Sequence, residues 1–185
     1  MTGNETLTFR EADAAEWQAV AALHIASWRS AYRGMLRDAY LDGAIAQERE
    51  AVWQARFTGE PRPDQIVVVA EDGTGFVALA CILAGHDPTW GSLIDNLHVR
   101  PDRKRGGIGR LVLAEATRRI PAAHDATPLH LTVLEANRAA QAAYESYGGQ
   151  LSERLDAALP DGQTLPVRRY SWASPAELLA RLART

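Results

Sequence analysis

A basic segment with three glycines is the part of the sequence best suited to chemistry. Residues 101–111 read PDRKRGGIGRL and directly follow an apolar stretch. Pro101 fixes its own φ angle and predicts a turn, and Gly106, Gly107 and Gly109 would let backbone N–H groups approach a ligand closely. Free N–H groups at the start of a helix, together with the helix dipole, attract anions. The segment therefore predicts a pyrophosphate site, with a solvated basic turn that only caps a helix as the alternative.

Spacing excludes two other phosphate-binding loops. A P-loop ends in Gly-Lys-Ser/Thr, whereas Gly109 is followed by Arg110 and Leu111. A dinucleotide-binding loop needs a further glycine three residues after Gly109, and that position is Val112. The remaining interpretation is an anion site at which backbone N–H groups and basic side chains both bind the anion.

The segment resembles the signature of the GNAT (GCN5-related) N-acetyltransferases, V-x-P-x-x-[Q/R]-x-x-G-x-[G/A]. Val99, Pro101, Gly107 and Gly109 match this signature, while Lys104 replaces the usual Gln or Arg and keeps a positive charge. The resemblance implies that N–H groups of residues 105–110 hold the pyrophosphate of acetyl-CoA. It also implies that the backbone of residues 97–99 pairs with the pantetheine arm as an added strand would.

A second segment, residues 137–149, is similar to the second motif of the same family, N-x-x-A-x-x-x-Y-x-x-x-G-F. Asn137, Ala140, Tyr144 and Gly148 match, and glycine replaces the usual phenylalanine at position 149. The resemblance implies acetyl-CoA as co-substrate. No metal is expected, because the five histidines of the sequence show no metal-ligand spacing. The cofactor-binding residues that the resemblance implies are Leu97, His98, Val99, Lys104, Arg105, Gly106, Gly107, Ile108, Gly109, Arg110, Asn137, Ala140 and Tyr144.

Acetyl transfer to an amine needs an acid for the leaving thiolate, and Tyr144 is the candidate. A tyrosine hydroxyl has a reference pKa of about 10, which suits that task. Tyr144 lies seven residues after Asn137, so both side chains fall on one face of a helix. Asn137 would then bind the cofactor arm while Tyr144 reaches the sulfur. A half-buried structural tyrosine is the alternative for Tyr144 and is favoured for Tyr147.

Several groups could act as the base that takes a proton from the amine. Asp95 is the first candidate, because members of the resembled family often carry an acidic residue on this strand; His98 and a water chain are alternatives. Strand alternation places Asp95 on the same face as Leu97 and Val99, although a β-bulge would change the face on which Asp95 lies.

Trp28 and Tyr32 are predicted to contact the acceptor, together with the loop at residues 34–42.

The elements that position these residues follow from periodicity. Strands are predicted at residues 7–10, 65–70, 76–84, 93–99, 129–134, 151–154 and 167–172. Helices are predicted from Asp13 to a stop at Gly34, and at residues 46–57, 107–119, 137–147 and 175–182, with Asp13 and Ser174 as N-caps. The order implies an α/β fold whose mixed, mostly antiparallel central sheet is flanked by helices on both faces. We expect one domain over residues 1–185.

Composition limits the remaining choices. The net charge is −3 over 185 residues, which gives no reason to expect nucleic acid as a partner. Cys81 is the single cysteine and lies in an apolar run, so it is expected to be a core residue, and a reducing compartment is favoured. The N-terminal residues 1–10 are polar, and no apolar run approaches the ~20 residues that span a membrane. We expect a cytoplasmic location.

Two functions are compatible with these features. The first is an N-acetyltransferase that binds acetyl-CoA and an amine acceptor, either a small molecule or a peptide, in one ternary complex with direct attack. The second is a non-catalytic acyl-CoA sensor or scaffold. Exposed edge strands would also support a homodimer.

Overall fold

The computed structural model describes residues 7–184, so the first six residues of the polar N-terminal stretch lie outside the described part. The described strands are β1 (Thr8–Glu11), β2 (Gln65–Asp72), β3 (Gly75–Asp87), β4 (Gly91–Val99), β5 (Leu129–Leu134), β6 (Gln150–Ala158) and β7 (Thr164–Trp172). The described helices are α1 (Trp17–Ala31), α2 (Asp38–Asp42), α3 (Ile45–Thr58), α4 (Ile108–Thr117), α5 (Arg138–Ser146) and α6 (Pro175–Leu182).

The strands form one sheet in the order β1-β2-β3-β4-β5-β7-β6. Every neighbouring pair is antiparallel except β4 and β5, which are parallel. The mixed, mostly antiparallel sheet expected from the sequence is therefore confirmed.

Helices cover both faces of the sheet, as predicted. Alternate side chains of β3 point to opposite sides, because successive residues of a strand do so. Leu79 and Cys81 pack with α1 and α3 around Trp53. Ala78 and Ala80 belong to the core on the other face, to which α4 and α6 contribute. The sheet thus separates α1 from α4, and both of these helices contribute to the candidate site.

Local sequence signals account for most element boundaries. Asp13 and Glu16 form the predicted capping box, and Ser174 accepts a hydrogen bond from the N–H of Glu177. The lengths predicted for the last two strands were wrong, because the hairpin of β6 and β7 extends beyond the apolar residues into polar and charged ones, and β6 at the sheet edge is mostly exposed. Helix α2 was missed because five residues are too few to show a helical period.

The parallel pair β4–β5 separates soon after it begins. Only Ser92 with Leu129 and Leu93 with His130 are paired. The closed end of this pair is tight: Gly91 has φ +71°, and an added Cβ would lie 2.0 Å from the carbonyl oxygen of Pro128. Beyond Leu93 the facing edges of both strands are open, which creates a gap in the middle of the sheet.

We expect Gly91→Ala to destabilise the protein, because the new Cβ would clash with backbone and the φ angle disfavours a side chain. The free energy of unfolding should fall by about 2 kcal/mol or more. Gly73→Ala is the matched control, since nothing lies within 4 Å of a Cβ at that position. Urea denaturation of both variants measures the difference. Equal midpoints for the two variants would show that the closed end is not a tight constraint.

Candidate functional site

The gap between β4 and β5 opens into a cleft of about 770 Å³. Its walls come from α1, β4, β5, α5 and the loop that precedes α4. Leu97 and Val99 on β4 face Leu131 and Val133 on β5 across it. Because neither strand edge is paired here, backbone N–H and C=O groups are available along the cleft.

One end of the cleft presents unpaired backbone N–H groups at the start of α4. Gly107 has φ +76° and is the N-cap of α4, which begins at Ile108. Within residues 7–184, no carbonyl or side chain accepts a hydrogen bond from the N–H groups of residues 107–110. The positive end of the helix dipole points the same way. Gly109 allows α4 to sit close to β4, because an added Cβ would lie 3.2 Å from Cγ2 of Val99.

The basic side chains near this end divide into two pairs. Arg103 forms an ion pair with Asp72, and Arg110 donates to the carbonyl oxygen of Leu182, so both brace the loop. Lys104 and Arg105 make no ion pair with the described residues and line the cleft. Burial lowers the pKa of Lys104. Arg138 at the start of α5 also lines the cleft without an ion pair among residues 7–184, so three side chains could add positive charge beside an anion in this cleft.

Helix α5 supplies the opposite wall. Asn137 caps this helix by accepting a hydrogen bond from the N–H of Ala140 at 3.2 Å, which leaves its side-chain N–H groups free of that role. Tyr144 follows two turns later and also lines the cleft. Burial, with smaller effects of Tyr32 and Tyr147, raises the pKa of Tyr144, so its hydroxyl is protonated at neutral pH.

The glycine at position 149 has a packing explanation. A Cβ there would lie 2.7 Å from the indole of Trp172 and 2.9 Å from the carbonyl oxygen of Tyr144. Trp172 is almost fully buried and donates to the carbonyl oxygen of Tyr147 at 2.8 Å. The indole therefore fills the space beside the end of α5, and Gly149 is the residue that fits beside it.

Strand β4 contains a β-bulge at Asp95. Ile94 pairs with Ile82 and Asn96 with Cys81, so Asp95 has no partner on β3. Simple alternation was therefore wrong at this point, and the bulge considered in the sequence analysis is present. The carboxylate of Asp95 meets Arg56 of α3 at 2.6 Å.

A chain of hydrogen bonds runs from this ion pair to the cleft wall on α1. Asn96 donates to Asp95 at 2.5 Å, so its side-chain oxygen accepts from Nε2 of His98 at 3.3 Å. Nδ1 of His98 is then the acceptor for the hydroxyl of Ser27 at 3.2 Å. The pair Arg56–Asp95 thus fixes the tautomer of His98, which in turn accepts the hydroxyl proton of Ser27.

His98 is held as a neutral ring. It stacks on His24 at 4.3 Å between ring centroids, and His24 in turn accepts from the indole of Trp53. Burial lowers the pKa of His98 to about 3, with further effects of Lys104 and Arg49. Burial also lowers the pKa of His24 well below its ordinary value. Neither ring carries a positive charge at neutral pH.

The cleft brings together most of the residues that the sequence singled out. The predicted cofactor-binding set lines it apart from Gly106, and Asp95 and Tyr32 line it as well. Trp28 does not line it but packs edge-on against Tyr32 at 5.0 Å. Sequence reasoning missed Ser27, whose only signal is its place near His24 on α1. It also missed Arg56, which lies one turn after Trp53 on α3.

Comparison with known proteins decides the family. The sequence profile described as the Acetyltransferase (GNAT) family matches residues 17–149. The chain belongs to the GNAT family. The N-acetyltransferase class expected from the two motifs is confirmed at this level, as is acetyl-CoA as the co-substrate of the class. No curated protein sequence matches the chain.

Solved structures of other GNAT proteins share the fold at low sequence identity. PaiA N-acetyltransferase from Thermoplasma acidophilum, in complex with coenzyme A, has a TM-score of 0.70 at 12% identity, covering 90% of this chain and 99% of that one. YncA from Salmonella typhimurium, with its cofactor acetyl-CoA, has a TM-score of 0.64 at 15% identity, covering 91% and 94%. Spermidine N-acetyltransferase SpeG from Vibrio cholerae has a TM-score of 0.64 at 15% identity, covering 95% and 97%.

Among residues 7–184 there is no cluster of three or more His, Cys, Asp or Glu side chains that could hold a metal ion. None of the described helices is long and apolar enough to cross a bilayer.

Protonation of His98 is expected to destabilise this GNAT protein. The pKa of His98 is about 3 in the folded chain and about 6.5 in an unfolded one, so between these values the unfolded chain binds more protons. The free energy of unfolding should therefore fall as pH is lowered from about 6.5 towards 4. His98→Gln should flatten this dependence by up to about 1.4 kcal/mol per pH unit.

Urea denaturation at pH 4, 5, 6 and 7 measures the effect. The matched control is His86→Gln, because His86 lies exposed on the surface. A pH dependence that is the same for wild type and His98→Gln would contradict the buried, neutral state assigned to His98.

Proposed function

We propose that the protein transfers the acetyl group of acetyl-CoA to a primary amine by direct attack in a ternary complex. The observation that carries this proposal is the cleft between the separated strands β4 and β5, which has a backbone anion site at one end and Tyr144 in its wall. The GNAT family assignment supports the same chemistry.

The cofactor would lie along the cleft. Its pyrophosphate would accept hydrogen bonds from N–H groups of residues 105–110, with Lys104 and Arg105 adding positive charge. Its pantetheine arm would pair with the open edge of β4 at residues 97–99, opposite the side-chain amide of Asn137. This placement uses backbone groups that are otherwise unpaired in a half-buried gap, which supports it on energetic grounds.

Tyr144 would act as the acid. The cofactor sulfur gains negative charge as the C–S bond breaks, and a protonated hydroxyl in a desolvated wall stabilises that charge strongly. Burial raises the pKa of Tyr144, so its hydroxyl stays protonated and can donate a hydrogen bond to the sulfur as negative charge develops there. Backbone N–H groups of β4 would polarise the thioester carbonyl at the same time.

Asp95 would act as the base after attack. A carboxylate is too weak a base to take a proton from an alkylammonium group, because the pKa of that group is about six to seven units higher than that of a carboxyl group. The nitrogen of the tetrahedral adduct is far more acidic, and a carboxylate held by Arg56 can accept that proton. His98 is less suitable for this step, because burial lowers its pKa to about 3.

Direct transfer is favoured over a covalent acyl-enzyme. The chain has one cysteine, Cys81, which is fully buried in the sheet. Burial raises the pKa of the Cys81 thiol to about 12, so the nucleophilic thiolate is scarce at neutral pH.

Replacing Tyr144 with phenylalanine tests the proposal and separates a catalyst from an acyl-CoA sensor. We expect Tyr144→Phe to bind acetyl-CoA as the wild type does and to lose turnover about 100-fold or more. Titration calorimetry measures acetyl-CoA binding, with NAD and ATP as control ligands, and thiol release measures turnover. Tyr147→Phe is the matched control, and it should retain most of the activity.

Two results would contradict the proposal. Absence of acetyl-CoA binding by the wild type would contradict the proposed cofactor site. Equal turnover of wild type and Tyr144→Phe would contradict the role of Tyr144 as the acid. Acetyl-CoA binding by a wild type that acetylates none of a broad set of amines would instead support the sensor.

A further inference from the structure

The acceptor end of the cleft is the part that the cofactor would leave open. We define it by six of the residues from α1, the segment after it and β4 that line the cleft: Ser27, Ser30, Tyr32, Met35, Asp95 and His98. Five of these six side chains are uncharged in the folded protein, since His98 is held neutral. Asp95 is the only carboxylate among all described residues that line the cleft.

The charge of Asp95 is already balanced. Arg56 donates to it at 2.6 Å, and the same oxygen accepts from Asn96. Arg56 is held in place because its guanidinium also lies over the ring of Trp53 at 5.1 Å. The acceptor end therefore offers no unpaired negative charge to an incoming cation.

Carboxylates just outside the acceptor end are paired in the same way. Glu48 forms an ion pair with Arg49, whose guanidinium lies over the ring of Trp28. Asp38 and Asp42 both pair with Arg33. Arg33 is thus shared by two exposed carboxylates, which leaves one negative charge in excess outside the acceptor end, whereas the carboxylate inside it, Asp95, is balanced by Arg56.

The surroundings of His98 disfavour a positive charge. The groups that face the ring are His24 and Ser27 from α1, Asn96 on its own strand, Arg49 from α3 and Lys104 from the loop. Desolvation and the two positive charges disfavour a protonated imidazole there. The same two effects would act on an ammonium group placed beside it.

We infer that the acceptor is a weakly basic primary amine without a second cationic group, the class represented by the α-amino group of a peptide-like compound, and that it enters the cleft uncharged. This inference rests on the proposed acetyl transfer and adds the substrate class. It separates this protein from acetyltransferases of polyamines, whose polycationic acceptors need unpaired carboxylates in the site.

The chemistry balances with an uncharged amine. The nitrogen lone pair forms a C–N bond to the thioester carbonyl carbon, and the C–S bond breaks. One N–H proton passes to Asp95, while the sulfur takes the proton of Tyr144. Solvent returns the proton from Asp95 to Tyr144, so that the products are an N-substituted acetamide and the CoA thiol.

Two isomeric acceptors test the inference with the wild-type protein. Nε-acetyl-lysine methylamide has a free α-amino group, and Nα-acetyl-lysine methylamide has a free side-chain amine. At pH 7 the uncharged fraction of the first exceeds that of the second roughly 300-fold, and at pH 9.5 roughly tenfold. We expect kcat/KM, measured by CoA release, to favour the first isomer by at least 30-fold at pH 7, with a preference that shrinks as pH rises.

Spermidine serves as the polycationic probe and should be acetylated more slowly than either isomer at pH 7. Equal use of the two isomers, or faster use of the side-chain amine or of spermidine, would overturn the inference. Absence of turnover with the α-amino isomer would also overturn it. If acetyl-CoA still binds in that case, the cofactor site proposed above stands, so the two failures are distinguishable.

Arg56→Gln tests the charge balance directly. It leaves Asp95 unpaired, so the preference for the α-amino isomer at pH 7 should fall about tenfold relative to wild type. Arg118→Gln is the matched control, because Arg118 pairs with Glu115 on the exposed side of α4 and its loss should leave the preference unchanged. An unchanged preference in a folded Arg56→Gln variant would contradict the role given to this ion pair.

Discussion

The separation of β4 from β5 after two paired residues is the constraint on which the rest of the structure depends. Backbone groups that would otherwise pair across the sheet remain open along the gap, and a closed end at Gly91 prevents the gap from extending through the sheet. Helix α4 begins at one side of this gap and α5 at the other. The N–H groups at the start of α4 and the side chain of Tyr144 therefore line one cleft, because the two helices follow the two strands that part.

A second consequence concerns the acceptor end. The bulge at Asp95 turns its carboxylate towards α3, where Arg56 holds it, and the hydrogen bonds through Asn96 then orient His98. One irregular residue in a strand thus couples the charge balance of the site to the tautomer of a histidine. That coupling leaves the α1 end of the cleft with a paired carboxylate, while Lys104 and Arg105 add positive charge at the α4 end.

Sequence reasoning selected residues of the proposed cofactor end that line the cleft, apart from Gly106, but missed Ser27 and Arg56 at the proposed acceptor end, and the difference has a physical cause. The conformation of the loop before α4 depends on residues that are close in sequence. Pro101, Gly107 and Gly109 lie within nine positions of one another, so their spacing alone predicts the loop. The acceptor end is assembled from contacts between distant elements, such as Arg56 with Asp95 across 39 positions. A bulge leaves no reliable sign in a strand pattern, and simple alternation therefore misplaced Asp95.

The most direct test of this account is a crystal structure of the protein with bound CoA. The account predicts pyrophosphate oxygens within hydrogen-bond distance of the N–H groups at the start of α4, and a pantetheine arm between β4 and β5. The sulfur should lie within reach of the hydroxyl of Tyr144. A cofactor bound outside the gap, or a gap closed by continuous pairing of the two strands, would contradict the central claim that the parted strands form the acetyl-CoA site.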